Sequence, residues 1–236
     1  MLNRFYADCQ ICRSCMDCIF QGFQDEILLG INEKKSCGIV AKGEPLFREN
    51  EFPKGLYLIH SGSVKISKSD EEGRELIVRL AKRGDFVGYR ALLCNDRYQA
   101  SAFALEDTYY CFLEKDYYLS ILYSNPHVIS HIITRLSADL LSAENKLMKI
   151  VNLNATGRIA EILLLLEEFY GTNGHSDTIK TTLKKEDIGH LAGTTTETSI
   201  RVMSEFKKMG IIDTIGKKIR IMDRKRLLSL SNRESA

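Results

Sequence analysis

Residues 184–210 read KKEDIGHLAGTTTETSIRVMSEFKKMG, and this stretch decides the fold of the C-terminal part of the chain. Asp187–Gly193 is predicted to form a short helix that ends at glycine, and Thr194–Met209 is predicted to form the next helix. A helix, a tight glycine-containing turn and a second helix are the shape that many DNA-binding proteins place in the major groove. The stretch therefore predicts a helix-turn-helix.

The second predicted helix has two different faces. At 100° per residue, one set of side chains is expected to pack inward and another to face outward. The inward set is Ser199, Val202, Met203 and Phe206, and the outward set is Glu197, Ile200, Arg201 and Ser204. An arginine can bond guanine O6 and N7 together, while a carboxylate can accept from cytosine N4 and hold the arginine in place. Taken alone, Glu197 and Arg201 also fit a surface ion pair, which contributes little to stability.

The surroundings of this helix favour DNA. Threonines at 194–196 lie at the helix N-terminus, where backbone N–H groups favour phosphate. Ile212–Ile221 is predicted to form two strands joined by a basic turn, a wing that lies on the DNA backbone. Residues 180–226 hold twelve basic and six acidic residues, a net charge of +6 that suits phosphate contacts, although a solvated basic face is the alternative. The predicted DNA-contacting residues are Thr195, Thr196, Glu197, Thr198, Arg201, Lys217 and Lys218.

A long helix is predicted upstream, beginning after Pro126. Apolar residues recur there at alternating steps of four and three, the heptad spacing of helices that pair with each other. Roughly 25 residues make a helix about 38 Å long, longer than a flanking domain needs, so we expect it to pair with its copy in a homodimer. Packing against the chain's own barrel is the alternative. The residues of this seam, none of them charged, are Ile129, Ile133, Leu136, Leu140, Ala143, Leu147 and Ile150.

The segment between residues 38 and 113 is predicted to be β-structure. Short runs of β-forming residues are separated by glycines, at the spacing of a small antiparallel barrel or sandwich. The predicted strands are Leu56–His60, Val64–Ser67, Leu76–Leu80, Phe86–Gly88 and Tyr109–Leu113. After the long helix, Thr156-Gly157-Arg158 interrupts the pattern and a second apolar helix is predicted at Ile159–Phe169.

Composition excludes several classes of protein. The 236 residues are 44% hydrophobic, enough for ordinary globular cores. We find no signal-peptide core near the start and no run of roughly 18–20 apolar residues for a membrane span, so we expect a cytoplasmic protein without a membrane partner. Seven cysteines in that compartment are expected to be thiols, metal ligands or redox groups. No phosphate loop, nucleophile motif or perturbed carboxylate pair indicates an enzyme.

Three motifs carry a resemblance to a known family. They are Glu197–Arg201 (ETSIR), Thr156–Ala160 (TGRIA) and Gly84–Gly88 (GDFVG). From about Cys9 to Ile221 the chain resembles the Crp/Fnr superfamily, named for the cyclic-AMP receptor protein and the fumarate and nitrate reduction regulator. The resemblance implies an α+β fold with three parts. They are a β-roll sensor domain, a cyclic-nucleotide-binding-like double-stranded barrel, at 1–125, a dimerisation helix at 126–154 and a winged helix-turn-helix DNA-binding domain at 155–236.

The resemblance also implies how DNA is read. Glu197 and Arg201 would read the GA of a TGA half-site, and a two-fold symmetric dimer would favour palindromic double-stranded DNA. RNA polymerase is a further candidate partner. Thr196 matches neither the arginine of the first parent nor the valine of the second, which leaves the outer bases of the half-site open.

The cyclic-AMP-binding members use a glutamate shortly after the Gly-Asp-Phe-x-Gly turn for the ribose and an Arg-Ser pair further on for the phosphate. This chain has Tyr89–Leu92 and Gln99-Ala100 at those places. Without the arginine and the paired hydroxyl, a cyclic phosphate loses its charge-assisted bonds. We therefore predict no tight cyclic-AMP binding.

The N-terminal cysteines offer a different ligand set. Cys9, Cys12, Cys15 and Cys18 lie at three-residue steps. Cys9, Cys12 and Cys18 have the C-x2-C-x5-C spacing of the oxygen-responsive branch, whose fourth ligand comes from the strand leading to the long helix, where this chain has Cys111. Four thiolates are what a [4Fe–4S] cluster requires. Cys15 is an extra thiol, and Cys9, Cys12 and Cys15 with one further cysteine form an equally valid set.

Other interpretations of these cysteines stay open. Zinc held by Cys9, Cys12, Cys15 and Cys18, a thiol/disulfide switch, and a cysteine-rich tail without a cofactor all fit the spacing. Cys37 and Cys94 match no ligand pattern and are predicted to be buried thiols.

Haem is a further candidate cofactor. His127 and His131 lie four residues apart at the start of the long helix, although such a pair is more typical of a helix surface. The sequence thus predicts a DNA-binding transcription regulator that responds to a redox, oxygen or nitric oxide signal. The alternatives are a regulator of the same family that senses haem or another small effector, a redox or electron-transfer protein, and a cyclic-nucleotide-regulated enzyme subunit.

Overall fold

The structure, a computed structural model, divides the chain into two compact units, Met1–Leu140 and Leu141–Ala236, with the boundary inside the long helix. The predicted α+β class is confirmed. In the part of the chain that is described, no helix is long and apolar enough to cross a membrane. The described residues are 7–12, 20, 23–172, 178–180, 183–215 and 218–232.

The first unit is a β-roll with helices at its ends. Its elements are α1 (Cys9–Cys12), α2 (Asp25–Lys34), β1 (Ser36–Val40), β2 (Pro45–Phe47), β3 (Gly55–Ser61), β4 (Ser63–Ser69), β5 (Glu75–Lys82), β6 (Phe86–Val87), α3 (Tyr89–Cys94), β7 (Ser101–Ala104), β8 (Thr108–Glu114), α4 (Lys115–Ser124) and the start of α5 (Pro126–Asn152). The strands pair antiparallel in two sheets, ordered β1-β8-β3-β6 and β2-β7-β4-β5. Apolar side chains of the first sheet pack with those of α2, α4 and α5.

All five predicted strands are present, as β3, β4, β5, β6 and β8. Three strands, β1, β2 and β7, were not predicted from the sequence. They contain residues that are uncommon in strands, namely Gly38 in β1, Pro45 in β2, and Ala102 and Ala104 in β7. Gly88 was predicted to end a strand, but it has φ of +88° and precedes α3, a backbone conformation that favours glycine.

Helix α5 carries two parallel stripes of side chains. One stripe packs on its own barrel, where Val128 and Ile132 are buried in the core. The predicted seam lies one residue further on, and its members Ile129, Ile133 and Leu140 are exposed. Successive helical residues point about 100° apart, so the two stripes occupy adjacent faces. Packing on the barrel and a free apolar seam therefore occur together on this helix.

A polar cluster continues the barrel-facing stripe. Asp139 accepts from Arg79 at 3.2 Å and from Arg135 at 3.0 Å, and Arg135 also donates to Asp85 at 2.7 Å. Tyr89 donates to Asp139 at 2.5 Å. These partners satisfy charges that are largely removed from water. They connect α5 to the Gly-Asp-Phe-Val-Gly turn.

The second unit is a helical domain with a two-stranded sheet. Its elements are the end of α5, α6 (Ala155–Tyr170), α7 (Lys185–Ala192), α8 (Thr196–Lys208), β9 (Ile212–Ile215), β10 (Lys218–Ile221) and α9 (Arg224–Leu230). Antiparallel pairing of β9 and β10 confirms the two strands predicted within Ile212–Ile221, and the predicted turn between them lies partly outside the described residues. Helices α6, α7, α8 and α9 contribute most of its buried apolar side chains.

The break after α5 lies earlier than predicted. Asn154 caps α6, accepting from the backbone N–H of Gly157 at 2.9 Å, so Thr156-Gly157-Arg158 forms the first turn of α6 and does not interrupt the helical pattern. A Cβ at Gly157 would lie 2.8 Å from the carbonyl oxygen of Leu230, so glycine permits α9 to pack closely here.

Candidate DNA interface and cysteine pocket

The turn between α7 and α8 depends on one glycine and one threonine. Gly193 ends α7 with φ of +61°, and its N–H donates to the carbonyl of Gly189. Thr195 then caps α8, accepting from the N–H of Thr198 at 3.2 Å. The helix begins at Thr196 rather than at Thr194, because Thr194 and Thr195 are used by the turn and the cap.

The inner face of α8 is buried as predicted. Val202, Met203 and Phe206 lie in the core, and Ser199 is buried with its hydroxyl donating to the carbonyl of Lys185 at 2.8 Å. A Cβ at Gly189 would lie 3.3 Å from the Cβ of Ser199, so the missing side chain permits close packing of α7 on α8. These contacts fix the rotation of α8 about its axis.

The outer face of α8 is exposed at Glu197, Ile200, Arg201 and Ser204, again as predicted. The ion pair differs from the expectation, because Arg201 Nη1 donates to Glu205 at 2.8 Å instead of being held by Glu197. Both acids lie four residues from Arg201, one on each side. With 60% of its side chain exposed, Arg201 lies in a pair that solvent screens and that contributes little. It can therefore exchange Glu205 for a base edge at small cost.

Glu197 is held as a carboxylate. Its own backbone N–H and the hydroxyl of Thr195 bond to it, and these bonds hold the pKa of Glu197 below its ordinary value. An ionised carboxylate accepts hydrogen bonds only, which is the property that contact with a cytosine amino group requires. The helix N-terminus also favours negative charge at this position.

The remaining predicted DNA contacts lie at the start of α8 or in the wing. Thr195 is exposed, whereas Thr196 and Thr198 are partly exposed. Lys218 is an exposed residue at the start of β10, and Lys217 falls outside the described residues. Lys207 donates to Asp213 at 2.9 Å and to Thr214 at 2.9 Å, which attaches the end of α8 to β9.

Arg158 is a positioning residue that the pattern of apolar residues did not predict. Its guanidinium donates to the carbonyls of Ala192 at 2.9 Å and Leu153 at 2.9 Å. These bonds connect the end of α7 with the chain between α5 and α6 and satisfy carbonyls at helix ends. The Thr-Gly-Arg-Ile-Ala motif therefore serves the geometry of the second unit.

The part of the barrel next to the Gly-Asp-Phe-Val-Gly turn is filled by aromatic side chains. Tyr98, only 4% exposed, stacks on Phe47 with ring centroids 3.8 Å apart. A Cβ at Gly88 would lie 3.3 Å from the Tyr98 ring. Gln99, at the place of the phosphate-binding arginine, is exposed and donates to Asp96.

Three of the four candidate cluster ligands line one pocket. Cys9, Cys12 and Cys111 share this lining with Lys35 and His60. Lys35 lies 2.9 Å from the Cys9 sulfur, and His60 Nδ1 lies 3.8 Å from the Cys12 sulfur. Among the described residues, no group of three or more His, Cys, Asp or Glu is arranged to hold a metal ion. The donor types fit a thiolate site, but the thiols do not converge on one point in this arrangement.

Two candidate ligands, Cys15 and Cys18, fall outside the described residues. The zinc set of Cys9, Cys12, Cys15 and Cys18 is therefore described only at its first two members. Of the candidate haem ligands, His127 and His131 are both exposed on α5.

Electrostatics in the pocket centre on Lys35. Burial lowers the pKa of Lys35, but the hydrogen bond to Cys9 and the nearby sulfurs outweigh burial and leave the pKa raised. Burial, followed by the neighbouring Cys37 sulfur, raises the pKa of Cys111. The nearby Lys35 ammonium lowers the pKa of Cys111, because it favours the thiolate, but burial and Cys37 outweigh it.

The expectations for Cys37 and Cys94 were wrong. Cys94 is exposed, at the end of α3. Cys37 is half-buried, and its sulfur lies 3.6 Å from that of Cys111. Cysteine spacing could not reveal this neighbour, because it arises from the pairing of two strands far apart in sequence.

Two domain families match the chain. Residues 39–125 match the cyclic nucleotide-binding domain, and residues 157–230 match the Crp-like helix-turn-helix domain. Together the two matches cover more than half of the chain.

Curated relatives match over nearly the full length. The chain is 29% identical over 225 residues to the Anaerobic regulatory protein of Pasteurella multocida (strain Pm70), which covers 95% of this chain and 81% of the relative. It is 28% identical over 225 residues to the Fumarate and nitrate reduction regulatory protein of Yersinia pestis, which covers 95% of this chain and 89% of the relative.

Among solved structures, FixK2 from Bradyrhizobium japonicum is similar, with a TM-score of 0.75 at 22% identity. The match covers 83% of this chain and 96% of that one. This likeness supports the fold.

Proposed function

Because the chain belongs to the Crp/Fnr family of DNA-binding transcription regulators, we propose that it reads a palindromic operator as a homodimer under the control of its cysteines. Its relatives are regulators and not enzymes. The observation that carries the proposal is the outer face of α8. There Glu197 and Arg201 are exposed on a helix whose opposite face is buried.

The side chains of Glu197 and Arg201 on the outer face of α8 are chemically suited to contact a G·C base pair. A guanidinium can bond the O6 and N7 of guanine, and the ionised Glu197 can accept from the amino group of cytosine. Thr195 and the N-terminus of α8 would lie against phosphate, and Lys217 and Lys218 of the wing would contact the backbone. The resemblance to the Crp/Fnr superfamily implies TGA-containing half-sites, and the exposed Glu197 and Arg201 are compatible with them.

The homodimer is supported by the second stripe of α5. Leu136, Leu140 and Leu147 are exposed apolar side chains at heptad spacing, while the adjacent stripe is already packed on the barrel. A second copy of α5 would bury this seam by coiled-coil packing. Two recognition helices would then face two half-sites related by the same two-fold axis.

The signal is proposed to act at the N-terminal cysteines. Cys9, Cys12 and Cys111 line one pocket, and Cys18, with Cys15 as the alternative, would complete four thiolates for a [4Fe–4S] cluster. Such a cluster supplies a group whose integrity depends on oxygen, nitric oxide or redox conditions. The pocket is lined by residues of α1, β3 and β8. Gain or loss of a cluster there would therefore change how these elements pack in the first unit.

The test is selection of DNA from a random pool with aerobic and anaerobic protein side by side. Recovery of a palindrome that contains TGA half-sites supports the proposal, and recovery from one sample only identifies the signal as redox. A pool that returns no consensus in either condition contradicts it and favours a redox or electron-transfer protein.

The cofactor is tested separately by anaerobic reconstitution with iron and sulfide. We expect broad visible absorbance and about four irons per subunit, as for a [4Fe–4S] cluster. A colourless protein that carries zinc contradicts the iron–sulfur assignment and leaves DNA binding untouched.

A further inference from the structure

Cys37 and Cys111 lie directly opposite each other on paired strands. The register of β1 and β8 places Cys37 against Cys111, between the pairs Ser36–Phe112 and Gly38–Tyr110. Strand β1 is an edge strand of its sheet. The two sulfur atoms are 3.6 Å apart, and Cys37 has no role in the proposed function.

This placement suits a covalent bond between the two side chains. Opposed residues of antiparallel strands have Cα atoms about 4.5–5.5 Å apart, within the range of about 4.4–6.8 Å found for disulfides. A disulfide is about 2.05 Å long, so the sulfurs must approach by roughly 1.5 Å. Rotation of the two side chains supplies that movement, while the ladder on either side keeps the backbone in place.

The other described thiols of the pocket have different neighbours. Cys9 is bonded to Lys35, and Cys12 lies beside His60. Cys111 differs in that its sulfur contacts the sulfur of Cys37. This contact makes Cys37 and Cys111 a favoured pair for oxidation among the described thiols.

We propose that Cys37 and Cys111 form a reversible disulfide when a hydroperoxide oxidises the cofactor-free protein. The bond would withdraw Cys111 from any set of metal ligands, so that disulfide and ligation are mutually exclusive. Only this second consequence rests on the proposed function. Cys37 would thus compete with a bound metal or cluster for the sulfur of Cys111.

The chemistry balances with hydrogen peroxide as the oxidant. The Cys37 sulfur attacks one peroxide oxygen, the O–O bond breaks, and Cys37 becomes a sulfenic acid while one water leaves. The Cys111 sulfur then attacks the Cys37 sulfur, the S–O bond breaks, and a second water leaves with the Cys111 proton. Two thiols and one peroxide give one disulfide and two waters, and a dithiol reductant reverses the bond.

Trypsin digestion can identify this bond without ambiguity. Cleavage after Lys and Arg places Cys37 alone in fragment 36–42 and Cys111 alone in fragment 98–115. Cys9 and Cys12 fall in fragment 5–13, Cys15 and Cys18 in 14–34, and Cys94 in 91–97. Cofactor-free protein is treated with hydrogen peroxide, free thiols are alkylated, and the digest is analysed by mass spectrometry with and without dithiothreitol.

We expect fragment 36–42 to be linked to 98–115 in the wild type and to be released by dithiothreitol. Cys37→Ser should abolish the linked fragment, whereas Cys94→Ser, which changes an exposed thiol elsewhere, should leave it unchanged. Cys111 that stays fully alkylatable, or that links to 5–13 or 14–34, overturns the inference. Cys37→Ser protein that loses iron on reconstitution also overturns it, since Cys37 would then be a ligand.

DNA binding by the reduced protein is measured on the same preparations. Failure of the linked fragment to form with DNA binding intact counts against this inference alone. Formation of the fragment in a protein that selects no DNA counts against the proposed function alone.

Discussion

Tyr89 donates a hydrogen bond of 2.5 Å to Asp139 and so joins the start of α3 to the middle of α5. The Asp139 carboxylate also forms ion pairs with Arg79 and Arg135. It therefore accepts hydrogen bonds from three side chains. The hydrogen bond between Tyr89 and Asp139 connects the end of the Gly84–Gly88 turn with α5, the helix that carries the seam. Its loss should affect the whole first unit.

Asp139→Asn should destabilise the first unit. The change removes the charge that two arginines share, and it should lower the free energy of unfolding by about 2–3 kcal/mol, below the range for fully buried pairs because these side chains keep some contact with solvent. Urea unfolding followed by circular dichroism measures this. Glu71→Gln, in an exposed turn, is the control, and equal stability of the two variants would contradict the prediction.

Tyr89 should give the protein a stability loss at high pH. Burial and the bond to Asp139 raise the pKa of Tyr89 to about 12. A raised pKa contributes stability that is present below the unfolded value of about 10 and is lost as the pH rises through 12. Wild type should therefore lose about 2–3 kcal/mol more than Tyr89→Phe between pH 10 and 12. Tyr123→Phe, at an exposed tyrosine, should behave like wild type; identical curves for Tyr89→Phe and wild type would refute the coupling.

Arg201→Ala should reduce affinity for the selected operator by about 1–3 kcal/mol and relax one base position. Lys218→Ala, at a wing residue, should weaken binding to all sequences alike. Glu205→Gln removes the ion pair of Arg201 while keeping the guanidinium, so it should leave sequence preference intact. Fluorescence anisotropy on matched and mutated operators distinguishes these outcomes. Equal losses on every DNA for Arg201→Ala would show that Arg201 does not read a base.

Cyclic AMP should not bind in the micromolar range. Tyr98 occupies space beside Gly88, and Gln99 supplies no charge for the phosphate. Tyr98→Ala should open a cavity at a cost of about 3–5 kcal/mol in stability without creating cyclic-AMP binding. Calorimetric titration with cyclic AMP measures binding by the wild type and by Tyr98→Ala. A micromolar dissociation constant for either protein would contradict the prediction that cyclic AMP does not bind.

Leu140→Glu should weaken the proposed homodimer, because it would place two charges, one from each copy, in the apolar seam. Leu140 and Leu141 are similarly exposed, at 62% and 58%, but only Leu140 belongs to the heptad pattern. We expect Leu140→Glu to weaken dimerisation by at least about 2 kcal/mol, roughly thirtyfold, and Leu141→Glu to have little effect. Sedimentation velocity measures both. Similar dissociation of the two variants would place the interface elsewhere.

The faces of α8 could be predicted because buried positions on a helix follow a period of 3.6 residues. The contact between Cys37 and Cys111 could not, because it depends on how β1 and β8 pair across more than seventy residues. The barrel-facing stripe of α5 was hidden for another reason. In the sequence, Arg135 and Asp139 look like solvent-exposed residues of a helix. Their partial burial comes from contacts with the barrel residues Arg79, Asp85 and Tyr89, which the sequence pattern does not show.

The two stripes of α5 differ by one residue throughout, with 128 beside 129, 132 beside 133, 135 beside 136 and 139 beside 140. Rotation of α5 about its own axis would therefore pull Arg135 and Asp139 from Asp85 and Tyr89 before it could turn the seam. In the proposed homodimer, the barrel would thus set the angle at which the seam meets a second copy. A substitution at Tyr89 would in this way alter how the two chains meet without touching any residue of the proposed interface.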